Sequence, residues 1–338
     1  MLLLLAGLTV YAAIPHERAQ DRLSKTPDDS LIYGAILKRV EEGQNYYLAA
    51  AAEHRRWHAP LRPAQAFREP TLAWTLALLK TDAFRRLAMT GLLAATAIAM
   101  RRALDRTTID PRLRTPGLLL QLTGLCIAAF PLSPLYHDIW AALLIALSLA
   151  LYRPDRYAAA IVVGVAACLF RELALPYLGA MAAFALYERR WRELAGWCGG
   201  ILVFLGLYAI HLVIAGRLYQ PGDLISPGWL FFGGWDFVVE ACRRNLALHL
   251  LPPWVAALAA CLGLVGLAGW RDPWVSRVAL VVGGYMGAFL VVGRPDTSYW
   301  GQLYAPLLPL GLVLAPAALA DLWRQARPAR RAPSLQGA

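Results

Sequence analysis

Apolar residues in this chain arrive in blocks separated by short stretches rich in arginine, and that spacing limits the fold more than any other feature. A helix that crosses a bilayer needs about 20 mostly apolar residues, and lipid leaves the backbone no partner but itself. The blocks Met1–Ile14, Arg86–Met100, Gly117–Leu132, Ile139–Tyr152, Ala158–Phe170, Leu173–Tyr187, Leu194–Ala215, Pro253–Trp270, Val278–Val292 and Leu303–Leu322 give ten candidate spans. Several are short and must borrow flanking residues. The first is the weakest: it begins at the initiator Met without a basic flank, so the true start is expected upstream, and no positive n-region supports a signal peptide.

Composition agrees. The chain is 59% hydrophobic and 16% charged, against about 25% charged for a soluble domain. No linker or low-complexity tract divides it. The expected fold is all-α, a polytopic transmembrane helix bundle of about ten spans forming one domain over residues 1–323. A basic cytoplasmic tail, 324–338, is expected to be disordered. The net charge of +11 does not point to nucleic acid, because the arginines cluster at the ends of apolar blocks. Four of the five cysteines (Cys126, Cys168, Cys198, Cys261) lie in apolar blocks, Cys242 lies in a loop, and no spacing suits a disulfide framework or a metal site.

Arginine also orients the spans. With both termini cytoplasmic, the inner loops and tail carry sixteen arginines, among them Arg101, Arg102, Arg153, Arg189 and Arg271. The short outer loops carry five: Arg171, Arg217, Arg243, Arg244 and Arg294. This assignment places residues 15–85 outside as a long first loop. Within it Pro70–Leu79 is apolar but too short to span, and is expected as a helix dipping into the outer interface.

The outer side then gathers the chemically interesting residues. Asp28 and Asp29 precede a helical pattern of Leu31, Ile32, Ala35, Ile36 and Val40, where an acid either caps the helix or serves as a base. Asp138, in His137-Asp138, opens a span. Arg171-Glu172 joins two apolar blocks with almost no loop, so its charges either lock the turn as a salt bridge or face a polar cavity. Arg68 offers a bidentate grip on phosphate. Tyr46 and Tyr47 suit the membrane belt, while Tyr299-Trp300 beside Arg294 and Asp296 suits a sugar. His54 and His58 stand i, i+4 on an expected helix, but the stretch reads HRRWH and completes no metal motif. Ionisable groups are sparse inside the spans, His211 being the clearest.

The order of these features resembles the GT-C superfamily of integral-membrane glycosyltransferases, such as the lipid A aminoarabinose transferases, protein O-mannosyltransferases and lipopolysaccharide galacturonosyltransferases. It consists of one span, a long outer loop with an early acid (PDDSLIYGAILKRVEEGQNYY), an arginine-proline stretch (RPAQAFREPTLAW), further spans, and a second outer acid in PLYHDIW. It covers about residues 1–192. The chain departs from the family in lacking a large C-terminal outer domain and in carrying a pair of acids where the family carries one.

The resemblance implies transfer of a sugar from a polyprenyl-phosphate donor to an envelope acceptor (lipid, glycan or protein) on the periplasmic face, with inversion. Asp29, or else Asp28, would be the general base. Arg68, Arg171 and Arg294, with Glu172, Tyr46 and Tyr47 around them, would meet the lipid phosphate. Asp138 would hold the acceptor, orient an arginine or help bind a divalent cation, Mg2+ or Mn2+. Abundant Arg and Ala with few Lys point to a GC-rich bacterial genome, hence an inner-membrane protein. The alternatives are a polysaccharide ligase, a transporter or lipid flippase, which would carry ionisable groups at mid-span, and a non-catalytic scaffold.

Overall fold

The computed structural model describes residues 7–9 and 29–326. Among them the chain is helical, with no strand and two isolated bridges, Arg62 to Ile225 and Leu230 to Val292. The first loop supplies α1 (Asp29–Glu41), α2 (Tyr46–Arg56) and α3 (Thr71–Leu78). The bundle follows as α4 (Asp82–Asp105), α5 (Pro111–Leu125), α6 (His137–Leu151), α7 (Ala158–Phe170), α8 (Leu175–Tyr187) and α9 (Trp191–Gly216). After the short helices α10 (Gly234–Cys242) and α11 (Leu246–His249) it closes with α12 (Pro253–Gly269), α13 (Pro273–Phe289) and α14 (Pro309–Ala326).

Local chemistry sets the helix ends. Thr81 accepts from Phe84 N to start α4, Asp110 accepts from Arg112 N to start α5, and Asn45 accepts from Tyr47 N to start α2. Asp272 caps α13 by accepting from Trp274 N and Val275 N, while its other oxygen takes Thr108 N at 2.9 Å, tying the α4–α5 link to the α12–α13 link. Pro131 and Pro134 follow α5, which gives way to 3-10 turns at Cys126–Ala129 and Ser133–Leu135.

The helices alternate in direction, and their links gather at two ends. One end joins Thr108, Asp272, Arg277, Glu188 and Glu193, with the buried Arg277 guanidinium 4.4 Å from the Tyr152 ring and 4.3 Å from that of Phe184. The other joins the first loop, the α7–α8 turn and the segment after α13. At the centre α12 and α14 meet backbone to backbone: a Cβ on Gly266 would lie 1.9 Å from Gly311 O. Small residues allow such close approach where apolar surroundings supply no hydrophobic drive between helices.

Nine of the ten candidate spans contain a bundle helix, and the first lies almost wholly outside the described residues. Two helices are long and apolar enough to cross a membrane, α4 with 24 residues and α9 with 26. Only 28% and 22% of their apolar windows are buried, so Leu87, Ile98, Leu202, Val203 and Ile210 face outward. The remaining bundle helices have 13 to 18 residues.

Some sequence expectations shift. Pro70–Leu79 does become a helix, α3, with Trp74 and Leu78 exposed. His54 and His58 do not share a helix: α2 ends at Arg56, and His58 sits beyond it with φ +51°. Cys242 is not in a loop but is the last residue of α10, buried against the Tyr304 hydroxyl. α14 runs through Arg324 to Ala326, so the first residues assigned to the tail are helical.

Candidate active site

Four segments far apart in sequence converge at the end of the bundle that holds the first loop. The α7–α8 turn is a single 3-10 turn, Glu172–Ala174, followed by Pro176, and it leaves Arg171 no route to solvent; its exposure is zero. Arg171 Nε donates to Asp138 Oδ1 at 2.9 Å, and Nη1 lies 3.5 Å from Glu172 Oε1. Asp138 is brought there as the second residue of α6. From the first loop Arg68 Nη1 donates to the same Glu172 oxygen at 3.2 Å and Nε donates to the Tyr33 hydroxyl at 3.3 Å. The fourth segment is the 3-10 arch Pro295–Leu303, whose Trp300 ring lies 5.9 Å from the Arg171 guanidinium carbon.

Asp29 opens α1 one helical turn before Tyr33, so both occupy one helix face. Burial, then the charge of Asp29, pushes the Tyr33 phenol above its ordinary value. The Tyr33 ring also meets His137 edge-on at 4.7 Å. Tyr299 feels Arg171, Arg68, Asp29 and Asp138 together, and burial keeps it neutral.

Glu69 and Glu172 are carboxyls whose charges act on each other. Burial, then the charge of Glu172, pushes Glu69 well above the usual carboxylate range. Burial also opposes ionisation of Glu172, but Arg171 and Arg68 overcome it and hold that carboxyl below its ordinary value. The neutral form is therefore favoured at Glu69 and the charged form at Glu172. Several other polar atoms in the cluster are buried without a protein partner: Arg171 Nη1 and Nη2, His137 Nδ1 and Trp300 Nε1. Most buried polar groups in folded proteins are hydrogen-bonded, so this concentration marks a place built for a polar ligand or water. The unpartnered atoms include the carboxylate oxygens Glu69 Oε1 and Oε2 and Glu172 Oε2 beside the Arg171 and Trp300 donors.

Beside the cluster is a small, partly open cavity of about 20 Å³, with Ile36, Leu37, Leu72, Leu76 and Leu135 as its apolar walls. Tyr33, Tyr46 and His137 line it as well, and Tyr33 and His137 link it to the polar cluster.

The other expected site residues fall into two groups. Tyr46 and Tyr47 are structural neighbours: Tyr46 donates to Arg68 O at 2.7 Å, and the Tyr47 hydroxyl lies 3.3 Å from His211 Nδ1. His211, expected as a mid-span group, anchors the loop instead, with Nε2 2.9 Å from Phe67 O. Arg294 is committed away from the cluster, in a two-pronged pair with Asp296 at 3.1 and 3.0 Å and in contact with Ser226 and Gly228. Asp28 lies outside the described residues.

Tyr33 and Glu69 join the cluster without having been singled out as site residues, and His137 and Tyr299 join it from the pairs His137-Asp138 and Tyr299-Trp300. A signal for Glu69 was present: the tripeptide Phe-Arg-Glu occurs at residues 67–69 and again at 170–172, and the structure pairs the two copies. The described residues gather no group of three or more His, Cys, Asp and Glu in metal-binding arrangement. Glu69 and Glu172 would offer a divalent cation two carboxylates at most, and no step is assigned to one.

No protein-family model, curated protein or solved structure matches this chain.

Proposed function

We propose that the chain is a membrane-embedded glycosyltransferase that moves a sugar from a polyprenyl-phosphate donor to an envelope acceptor at the extracytoplasmic face. One observation carries the reading. Arg171 is wholly buried beside Arg68, and both of its terminal nitrogens lack a hydrogen-bond partner. A buried guanidinium with free donors suits an oxyanion that is planar or tetrahedral and doubly contacted, as a phosphate is.

The surroundings fit the other parts of such a substrate. The small cavity beside the cluster is walled by Leu72, Leu76 and Leu135, an apolar setting consistent with a lipid-borne substrate nearby. α7 and α8 have 13 residues each, about 20 Å of helix, against a hydrocarbon core of about 30 Å. With the longer α9 crossing fully, the Arg171 turn sits below the lipid headgroups, where a lipid-borne phosphate can reach it. The arginine asymmetry puts this end outside, with ten spans counting the segment before residue 29.

In the reaction Asp29 takes the proton of the acceptor hydroxyl as that oxygen attacks the anomeric carbon. The bond to the phosphate oxygen breaks on the opposite face, and the leaving phosphate gains charge against Arg171 and Arg68. Asp138 keeps Arg171 aimed. Glu69, being neutral, adds no negative charge where the phosphate must bind.

The test is mass spectrometry of envelope glycolipids and glycoproteins from a strain lacking the protein, complemented with wild type or with Arg171→Gln at matched abundance. Loss of one sugar, restored by wild type alone, supports the reading. An unchanged envelope, or full restoration by Arg171→Gln, overturns it.

A further inference from the structure

The mechanism leaves a second cationic group unused. Arg243 and Arg244 follow α10 directly and share one carboxylate: Arg243 Nη1 donates to Glu240 at 2.8 Å, while Arg244 Nη2 stands 3.9 Å from it. Arg243 also donates to His249 O at 3.2 Å, and Arg244 donates to the Ser298 hydroxyl. The Nε atoms of both arginines are buried without a partner. Burial disfavours the Arg244 cation, and Glu240 only partly compensates. Two guanidiniums against one carboxylate leave a net positive charge in a half-buried place.

The position adds meaning. Arg244 meets the arch at Ser298, and Arg171 meets it two residues on, at Trp300. Tyr299 lies between them and interacts electrostatically with both. The arch cannot drift from α10, because a Cβ on Gly301 would lie 2.0 Å from Ala241 O. The two cationic places are therefore held at fixed spacing by three consecutive residues.

We propose that Arg243 and Arg244 form a second anion subsite, which takes a phosphate monoester carried by the second substrate while Arg171 and Arg68 take the first. The assignment rests on the transferase reading for the term substrate, but not for the subsite itself. Under that reading the acceptor is an anionic, phosphorylated molecule. A bilayer lipid with a phosphate monoester headgroup presents the same chemistry, and the experiment separates the two sources.

The full chain is placed in nanodiscs of phosphatidylcholine, and inorganic phosphate binding is measured by equilibrium dialysis. Wild type is expected to bind two phosphates per chain. Arg243→Gln/Arg244→Gln is expected to bind one, with affinity at the second place reduced at least tenfold, and Arg243→Lys/Arg244→Lys is expected to regain it. The regained site, with unfolding midpoints measured in the same discs, shows that the loss is not a folding failure. Phosphatidate added to the discs displaces this second phosphate if a lipid headgroup is the source and leaves it in place if the source is aqueous; either result retains the subsite. Equal binding by wild type and the glutamine double variant overturns the proposal. If instead Arg171→Gln leaves the stoichiometry at two, the transferase reading loses its phosphate site while the second subsite stands.

Discussion

Arg171 and Asp138, 33 positions apart, form an ion pair at 2.9 Å with the guanidinium at zero exposure. Removing one member of such a pair leaves an uncompensated buried charge, a loss of about 3–5 kcal/mol. Arg171→Met and Asp138→Leu are each expected to lower stability on that scale, and the double variant is expected to lose less than the sum. Chemical unfolding in detergent micelles measures all three. Strictly additive losses would show that the two side chains are not coupled.

Asp29 occupies the first turn of α1, where a carboxylate helps the helix as well as any catalysis. Asparagine serves nearly as well at a helix N-terminus but cannot accept a proton. Asp29→Asn is therefore expected to cut sugar transfer by about 10²–10⁴ with an unchanged unfolding midpoint. Asp28→Asn is expected to turn over close to wild type. Normal transfer by Asp29→Asn, with loss in Asp28→Asn, would move the base by one residue.

Apolar blocks made the helices legible, because their length and composition are local properties of sequence. Nine candidate segments correspond to helices for that reason. The acids and arginines near the site were legible as types: Asp138, Arg68, Arg171 and Glu172 meet in space. Their pairing was not, since it depends on how α7 and α8 pack against the first loop. Arg294 carried the same local signal as Arg68 but turns to Asp296, and only tertiary placement decides between them. The Phe-Arg-Glu repeat marked Glu69, but not its charge state: a carboxyl reads as charged in sequence, whereas burial beside Glu172 favours its neutral form.

That neutrality gives Glu69 a distinct pH dependence. Its folded pKa is raised, so the folded protein keeps a proton that the unfolded chain loses above about pH 4.3. Its contribution to stability is full below that value and declines as pH rises toward the folded pKa. Glu69→Gln removes the titrating group and is expected to abolish the decline. Unfolding midpoints from pH 4.5 upward test this, and parallel curves for wild type and variant would place the pH dependence outside Glu69.

His54 works in the opposite direction. Burial lowers its pKa from 6.5 to about 4, against its bond to Pro60 O. The unfolded chain takes up a proton near 6.5 that the folded chain refuses, so stability is present above that value and lost as pH falls toward 4. The shift corresponds to about 3 kcal/mol. His54→Gln is expected to flatten midpoints between pH 6.5 and 4, and an unaltered slope would place the acid sensitivity elsewhere.

The α12–α14 contact sets the sharpest packing limit. A Cβ on Gly266 would lie 1.9 Å from Gly311 O, and one on Gly311 would lie 1.8 Å from Gly263 O. These neighbours are backbone atoms of rigid helices and cannot rotate away. Gly266→Ala and Gly311→Ala are each expected to cost about 3 kcal/mol, the upper end for an overpacked core. Gly199→Ala, on α9 with nothing within 4 Å of its Cβ, is the control, and is expected to be neutral or stabilising by up to about 1 kcal/mol through helix propensity. Thermal unfolding in the same detergent compares them. Because α14 also leads from the arch, the two costly variants are expected to weaken phosphate binding as they loosen the bundle, whereas Gly199→Ala leaves it intact. Equal stability of all three would mean that α12 and α14 do not meet through their glycines.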